Sequence, residues 1–364
     1  MPLAEFFVNY VQAFIPTFVV RLLVRYYIWL FVGWRMRSGD VVVQQILLDR
    51  KERKRAPVTT EVEVTNEQLY ANDPAFFVAH LGPKLKYSAC EWPVGCGATT
   101  EDPASCAKSL AAAEDLTVAT YQEKLGLADL PSGSRVLELG CGWGSLSLTN
   151  AAKFPKLKFV GFSNSPQQIG HIKDQCAKRG ITNLTVFVED YADFVDPAKS
   201  KVAPKGAPLF DAAFAIETVE HAQNIGELLT AVSNRLKIGS KFFVHSLLHQ
   251  SSSYLVDLDG WMGRNFFTGG SILSLNSYCH LAPPSLYLAD VLPVSGEGYA
   301  KTLLAWLALL EPNRKQFVAK YGATFYEGFR MFYISCAEAF AANKGAECKL
   351  TALRIVQHSQ HTPS

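Results

Sequence analysis

The feature that most constrains this chain is a glycine-rich stretch at residues 134–150, Ser-Arg-Val-Leu-Glu-Leu-Gly-Cys-Gly-Trp-Gly-Ser-Leu-Ser-Leu-Thr-Asn. Its apolar first part predicts a strand, the glycines a tight turn, and the residues after them the start of a helix. Glycines at 140, 142 and 144 leave room for a ligand against the backbone, and the helix start offers free N–H groups. The stretch predicts a small-molecule cradle; the alternative is a glycine turn that binds nothing.

The glycine spacing and the positions of nearby acidic residues restrict the kinds of ligand that the turn can bind. A dinucleotide site has the pattern G-x-G-x-x-G and an acid after the second strand. Here the third glycine comes one residue earlier, and the next predicted strand ends in Ser163-Asn164-Ser165 without an acid. The acid instead precedes the turn, at Glu138. The pattern E-x-G-x-G-x-G resembles the first motif of S-adenosylmethionine-dependent methyltransferases.

Strand and helix patterns alternate after this turn, which predicts a doubly wound, Rossmann-like α/β sheet with ligands at the carboxyl ends of its strands. Residues 196–208 are rich in proline and predict a surface loop, and residues 302–342 predict helices with an aromatic face that is core material. The predicted elements are strand 158–162, helix 166–179, strand 184–188, strand 210–216, helix 221–236 and strand 241–247.

Four parts follow from these patterns. We predict an apolar and basic helical segment at 1–57, a cap and donor-site segment at 58–110, the Rossmann-like domain at 111–250, and a helical, aromatic substrate cap or lid at 251–364.

Residues 6–34 are apolar and aromatic, but Pro16, Arg21 and Arg25 interrupt them. A bilayer span needs about 20 predominantly apolar residues, so a spanning helix is disfavoured, and the acidic start argues against a signal peptide. Two interpretations remain. Either the helix packs on the body of the protein, or it lies on a membrane surface with its arginines near headgroups, assisted by the basic cluster at 50–55.

Charge and cysteine content exclude several classes of protein. The 35 basic and 33 acidic residues give a net charge of +2, which provides no general attraction for nucleic acid. The 8 cysteines form no C-x-x-C pair and no zinc spacing with histidine, so we expect reduced thiols and no metal site. These features predict a cytoplasmic protein, with peripheral membrane contact through 6–34 and 50–55 as the open question.

A cluster of ionisable residues follows the predicted strand 210–216. Glu217, Glu220 and His221 lie where an open α/β sheet places its substrates, and a helix starting near Glu217 would put them on neighbouring positions of one face. Methyl transfer to an amine requires removal of a proton, which a histidine can accept while a carboxylate orients it. The alternative is that the two acids only complement a helix N-terminus.

The chain resembles the coclaurine N-methyltransferase family, within the wider cyclopropane-fatty-acid-synthase-like group, from about residue 58 to the carboxyl end. The motifs that carry the resemblance are Lys86-Tyr87-Ser88, Gly140-Cys-Gly142-Trp-Gly144, Asn164-Ser-Pro-Gln-Gln168, Glu217-Thr-Val-Glu220-His221-Ala-Gln-Asn224, Phe267-Thr-Gly-Gly270 and Tyr299-Ala-Lys301-Thr302.

The resemblance implies S-adenosylmethionine as the methyl donor. It places Tyr87 and Ser88 at the carboxylate end of the donor, Asn164 and Gln168 at the ribose, and Asp190 with Tyr191 at the adenine. The implied donor site as a whole is Tyr87, Ser88, Glu138, Gly140, Cys141, Gly142, Gly144, Ser163, Asn164, Gln168, Asp190 and Tyr191.

The resemblance also implies that Glu217 and His221, with Glu220 adjacent, form the catalytic group. Aromatic and polar residues of the cap and sheet are expected at the substrate: Trp261, Phe266, Phe267, Tyr299 and His245. Cyclopropane synthases carry a cysteine where Ala89 stands, as part of a bicarbonate site that serves as their base. His245 and Tyr299 still match that site.

We therefore expect N-methylation of a small, aromatic or alkaloid-like amine. One alternative is a lipid-modifying methyltransferase that acts on unsaturated acyl chains or lipid amines. A second alternative is a membrane-attached protein that binds the donor without turnover.

Overall fold

The computed structural model describes residues 7–28, 57–59, 73–249, 253–256, 260–341 and 350–359. The strands in these residues are β1 Arg135–Leu139, β2 Lys158–Ser163, β3 Leu184–Val188, β4 Phe210–Ile216, β5 Leu236–His249, β6 Tyr254–Leu255, β7 Ser271–Ile272, β8 Leu286–Val294 and β9 Leu350–Ser359. Seven of them form one sheet in the order β3-β2-β1-β4-β5-β9-β8, and β6 pairs with β7. Strands β1 to β5 are parallel, and β9 lies antiparallel between β5 and β8.

The helices pack on both sides of this sheet and in a separate layer. The α-helices in the described residues are α1 Thr17–Tyr27, α2 Pro74–His80, α3 Pro103–Leu125, α4 Ser145–Lys153, α5 Pro166–Arg179, α6 Tyr191–Val195, α7 Ile225–Ser233, α8 Trp261–Asn265, α9 Leu275–Leu281, α10 Gly296–Leu310, α11 Arg314–Tyr321 and α12 Ala323–Ala341.

Alternate residues of β1 face opposite sides of the sheet, and both sides are covered. Val136 packs with Tyr121 of α3 and Leu146 of α4. Leu137 lies in a second core with Phe194 of α6. Burial on both faces is the condition under which a parallel sheet is stable in water. The predicted doubly wound α/β fold and its five parallel strands are confirmed.

The segment after β4 differs from the predicted helix 221–236. Val219–His221 form a short 3-10 turn, and α7 begins only at Ile225, where the side chain of Asn224 accepts a hydrogen bond from the Glu227 N–H at 3.2 Å. Asparagine is a favoured helix N-cap, so the helix starts after it. The helix ends at Ser233, before β5.

The predicted surface loop 196–208 is partly buried. Ser200, Val202 and Ala203 are at most 5% exposed. The Glu189 carboxylate holds this loop, because it accepts hydrogen bonds from the Ser200 hydroxyl and from the backbone N–H groups of Lys201 and Val202. The prolines correctly indicate a turn-rich segment, but they do not indicate that the segment is partly buried.

The predicted boundary at residue 250 does not separate the sheet from the cap, because β8 and β9 complete the sheet. Pro293 and Asp290 in β8 obscure its strand pattern, and the pairing with β9 shifts register between Leu288 and Asp290. Proline is tolerated there because β8 is the edge strand. The predicted helical region 302–342 contains most of α10 and all of α11 and α12, with Gly322 at φ +91° between the last two.

The amino-terminal segment packs on the body of the protein through one side of α1. Val20 is fully buried, and the side chains of Arg21 and Arg25 both contact Glu338 of α12, at 2.6 and 2.7 Å. Of the predictions for this region, the basic cluster 50–55 lies outside the described residues. No helix in the described ranges combines the length and the apolar character that crossing a bilayer requires.

Candidate active site

The glycine turn after β1 opens a cleft at the carboxyl ends of β1, β2 and β4. Gly142 has φ +50°, and a Cβ atom added there would meet nothing within 4 Å. Gly140 has φ +65°, and its Cβ would overlap the side chain of Thr218. Gly142 therefore gives a ligand access to the backbone, whereas Gly140 is required by packing.

The cleft has an empty volume of about 1000 Å³, including its opening to solvent. Most of the predicted donor and catalytic residues line it: Tyr87, Ser88, Glu138, Gly140, Cys141, Gly142, Ser163, Asn164, Gln168, Asp190, Tyr191, Glu217 and His221. Gly144 is not among the lining residues, and a Cβ on it would meet Ile172 at 2.7 Å.

Several lining residues are held by hydrogen bonds to one another. The Ser163 hydroxyl donates to the Gln168 side-chain oxygen at 2.7 Å. The Thr59 hydroxyl donates to Asp190 at 2.6 Å, and Asp190 also caps α6. These contacts fix the carboxyl ends of β2 and β3, where the resemblance expects ribose and adenine.

Glu138 and Tyr191 also have partners inside the protein. The Ser147 hydroxyl donates to Glu138, and burial raises the pKa of this carboxyl to about 8. The hydroxyls of Tyr191 and Thr218 are 2.6 Å apart. Since Thr218 packs against Gly140, Tyr191 is tied to the glycine turn.

Two polar atoms of the cleft have no hydrogen-bond partner among the described residues. They are the indole nitrogen of Trp143 and the hydroxyl oxygen of Ser145, and both atoms are buried. A buried polar group without a partner costs free energy, so these atoms fit a ligand with polar groups of its own. With the open face of Gly142, they fit S-adenosylmethionine. The sequence analysis missed both residues, although they stand inside the glycine motif.

The Glu217 carboxylate is fixed by groups from three parts of the chain. Its Oε1 accepts a hydrogen bond from the Ala89 N–H at 2.8 Å and lies 3.6 Å from His245 Nε2. Its Oε2 accepts a hydrogen bond from the Tyr299 hydroxyl. Burial and the charge of Glu217 raise the pKa of Tyr299 well above its ordinary value, so Tyr299 remains a donor.

The backbone at Glu217 is left-handed, with φ +48°. This conformation is uncommon for a residue other than glycine and costs about 1–3 kcal/mol. Glu217 is therefore not on a helix face, and the predicted helical spacing does not relate it to His221.

His221 lines the cleft, and its ring packs edge-on against Phe267, with ring centroids 5.2 Å apart. Burial lowers the pKa of His221 to about 4. The imidazole is therefore neutral at neutral pH.

Glu220 faces away from the cleft and is 3% exposed. Its Oε1 accepts hydrogen bonds from the Ser246 hydroxyl at 2.9 Å and from the Leu247 N–H at 2.6 Å. Burial raises the pKa of Glu220 to about 7. These contacts tie the 3-10 turn to β5.

The raised pKa of Glu220 predicts that the stability of the folded protein falls as pH rises. The folded state binds this proton more tightly than the unfolded state, whose carboxyl titrates near 4.5. Ionisation therefore removes on the order of 3 kcal/mol of stability as pH rises from about 4.5 to 7. In Glu220→Gln this loss should be absent, so its melting temperature relative to the native chain should rise over that pH range. A constant difference between the two melting curves would contradict the prediction.

The five predicted substrate residues do not line the cleft. Phe266 is buried and stacks on Phe332, and Trp261 packs against Phe266. Tyr299 and His245 contact Glu217, as described above. Phe267 packs against His221, which lines the cleft.

Further lining residues were not predicted from the sequence, and Lys86 and Thr268 are two of them. Lys86 is buried, and its ammonium donates to the Ser88 hydroxyl and the Ala89 carbonyl, at 2.6 and 2.5 Å. Thr268 lines the cleft next to Phe267. Lys86 directly precedes Tyr87 in one of the motifs of the resemblance, so its position beside the cleft could have been predicted more easily than that of Thr268.

Known proteins resemble this chain over most of its length. Residues 59–349 match the family described as mycolic acid cyclopropane synthetase. The (S)-coclaurine N-methyltransferase of Papaver somniferum is 27% identical over 358 residues, or 93% of this chain and 94% of that protein. The cyclopropane-fatty-acyl-phospholipid synthase of Escherichia coli (strain K12) is 25% identical over 268 residues, or 73% of this chain and 61% of that protein.

The fold is also that of a solved relative. A crystal structure of coclaurine N-methyltransferase bound to N-methylheliamine and SAH superposes with a TM-score of 0.81 at 20% identity, covering 98% of this chain and 99% of the other. The resemblance predicted from the motifs is confirmed. With a donor cleft at the glycine turn, the chain belongs to the mycolic acid cyclopropane synthetase family and is an S-adenosylmethionine-dependent methyltransferase.

Proposed function

We propose that this methyltransferase methylates the nitrogen of a small amine, with His221 and Glu217 as its acid–base pair. The observation that carries the proposal is that a neutral histidine, His221, and the fixed carboxylate of Glu217 line the same cleft. Proton removal by a positioned group typically contributes a factor of about 10² to 10⁴ in rate.

The chain's own residues account for each requirement of the reaction. S-adenosylmethionine, when bound, supplies an electrophilic methyl group. Gly142, Trp143 and Ser145 are placed to hold it against the glycine turn. An ammonium substrate has no free lone pair, so His221 takes the proton at a ring nitrogen, and Glu217 offsets the resulting positive charge.

The position of Glu217 favours nitrogen over carbon as the acceptor. The resemblance assigns His245 and Tyr299 to the bicarbonate site of cyclopropane synthases. Here the hydroxyl of Tyr299 donates to the Glu217 carboxylate, and His245 Nε2 lies 3.6 Å from it. A carboxylate and bicarbonate present the same O–C–O group, so Glu217 competes for the place that bicarbonate would take.

This competition predicts that the reaction needs no bicarbonate. Amine methylation by the full chain should proceed at the same rate in buffer purged of carbon dioxide and in buffer with added bicarbonate. Initial rates with labelled donor measure this, and a rate that depends on bicarbonate would contradict the assigned role of Glu217.

The acceptor we propose is an aromatic amine. Phe267 lies against His221 and can contact a ring that enters beside the histidine, and aromatic faces attract cations by roughly 0.5–2 kcal/mol. The test is to incubate the chain with labelled donor and either a panel of benzylisoquinoline-type amines or vesicles of unsaturated phospholipid. Label on the amines supports the proposal. Label on neither, with donor binding retained, would indicate a donor-binding protein without turnover.

A lipid acceptor is the second candidate, and with it we propose peripheral contact with a membrane. The supporting observation is that several large apolar side chains of α1 are exposed to solvent. Label on the phospholipid and not on the amines would favour this candidate. Donor binding and the glycine turn are common to both candidates.

A further inference from the structure

The side of α1 that faces away from the protein is apolar and aromatic. Among the described residues, six of the thirteen exposed large apolar side chains lie between positions 14 and 27. They are Phe14, Phe18, Leu22, Leu23, Tyr26 and Tyr27, exposed by 47% to 88%, and we call them the outer face. Three of them, Phe18, Leu22 and Tyr26, are spaced by four residues within α1, which places them along one side of the helix, and Phe14 lies in the 3-10 turn before it.

The opposite side of α1 is fixed to the protein. Arg21 and Arg25 both contact the buried carboxylate of Glu338, with the Arg21 side chain 13% and the Arg25 side chain 53% exposed, and Arg21 also donates to the Thr100 carbonyl at 2.8 Å. The turn before the helix is anchored as well, because the Gln12 amide donates to the Glu327 carbonyl at 2.6 Å. The arginines therefore hold α1 on the body and leave the outer face in a constant orientation.

The charge of the surrounding sequence indicates what covers this face. Residues 7–28 contain no acidic residue. Residues 1–57 carry nine basic and four acidic residues, whereas the rest of the chain carries 26 basic and 29 acidic residues. The amino-terminal part is thus positive on a slightly negative protein, and basic segments beside an apolar helix are attracted to anionic lipid.

We propose that the outer face of α1 docks the protein on an anionic lipid bilayer, with the helix lying parallel to the membrane surface. The inference rests on the membrane contact proposed above and assigns that contact to these six side chains. Phenylalanine and leucine would enter the acyl boundary, and the tyrosines would lie at headgroup level. Because the contacts of Arg21 and Arg25 with Glu338 hold α1 on the body, lipid would meet a surface of the folded protein and not a helix that has left it.

The test is flotation of the full chain with phosphatidylcholine vesicles that contain or lack phosphatidylserine. We expect binding to the anionic vesicles that weakens at high salt. In Phe18→Ser/Leu22→Ser the bound-to-free ratio should fall at least about ten-fold, since transfer of large apolar side chains out of water is favourable and serine lacks this contribution. Leu23→Ser/Tyr27→Ser, on the other edge of the face, should have a similar effect.

The matched control is Val94→Ser/Ile238→Ser, which removes two exposed apolar side chains far from α1 in sequence. Its vesicle binding should equal that of the native chain. All variants should keep their melting temperature, donor binding and methylation of a dissolved amine, so a loss of vesicle binding reports the surface alone.

Three outcomes would overturn the inference. If the native chain binds neither kind of vesicle, the membrane contact itself fails. If both α1 variants bind as well as the native chain, membrane contact stands but is made elsewhere. If the native chain is a dimer that the α1 variants dissociate, and it binds no vesicles, a second copy covers this face. None of these outcomes affects the proposal of amine methylation, which its own assay tests.

Discussion

His221→Ala should lower the turnover of the proposed amine substrate by about 10²-fold or more and leave donor affinity nearly unchanged. The ring of His221 lines the cleft, is neutral at neutral pH, and is separate from the polar contacts at the ends of β2 and β3. Removing it therefore affects proton transfer and not the donor site. Single-turnover rates and donor binding by calorimetry measure the two effects separately.

The control for this variant is His280→Ala, at the exposed end of α9, which should retain full activity. The pH profile provides a second readout. In the native chain the rate should fall as pH drops toward 4, where His221 becomes protonated, whereas His221→Ala should lack this limb. Equal turnover in native chain and variant would remove His221 from the mechanism.

Gly142→Val should weaken donor binding by roughly 10- to 100-fold, because the new side chain would fill the space proposed for the donor. Its Cβ would meet no protein atom within 4 Å, so no clash with the protein opposes the substitution. The positive φ does impose a backbone cost. Equilibrium dialysis with labelled S-adenosylmethionine measures the affinity.

Gly206→Val separates the backbone cost from the loss of space. Gly206 also has positive φ, at +82°, and open surroundings, but it lies in the 196–208 loop. Both variants should lose similar amounts of thermal stability, whereas only Gly142→Val should lose donor affinity. Normal affinity in Gly142→Val would mean that the donor does not lie against this turn.

The position of the cleft could be predicted because many of its lining residues follow strand ends that the local pattern reveals. Val136, Leu137 and Leu139 mark β1, and the glycine turn comes directly after them. Asn164 and Asp190 likewise come just after β2 and β3. In a parallel sheet these ends meet at one edge, so sequence position alone brings the residues together.

The rest of the site depends on contacts that no local pattern encodes. Glu217 adopts its left-handed conformation among Ala89, His245 and Tyr299, which are distant from it in sequence. Helical spacing was therefore the wrong guide to its relation with His221. The sequence does not distinguish an aromatic residue that contacts a substrate from one that packs in a hydrophobic core. Phe266 packs in the core.

The place of β9 in the sheet has a consequence for how this protein folds. Its residues 350–359 pair with β5 on one side and β8 on the other, more than 100 residues away from their β5 partners. Until β9 has been synthesised, β5 is an open strand edge, and such edges recruit strands from other chains. Strand pairings between residues so far apart in sequence also form slowly. During synthesis, β9 must therefore insert between β5 and β8 after both strands have been made. Dependence on chaperones should be greatest just before β9 inserts.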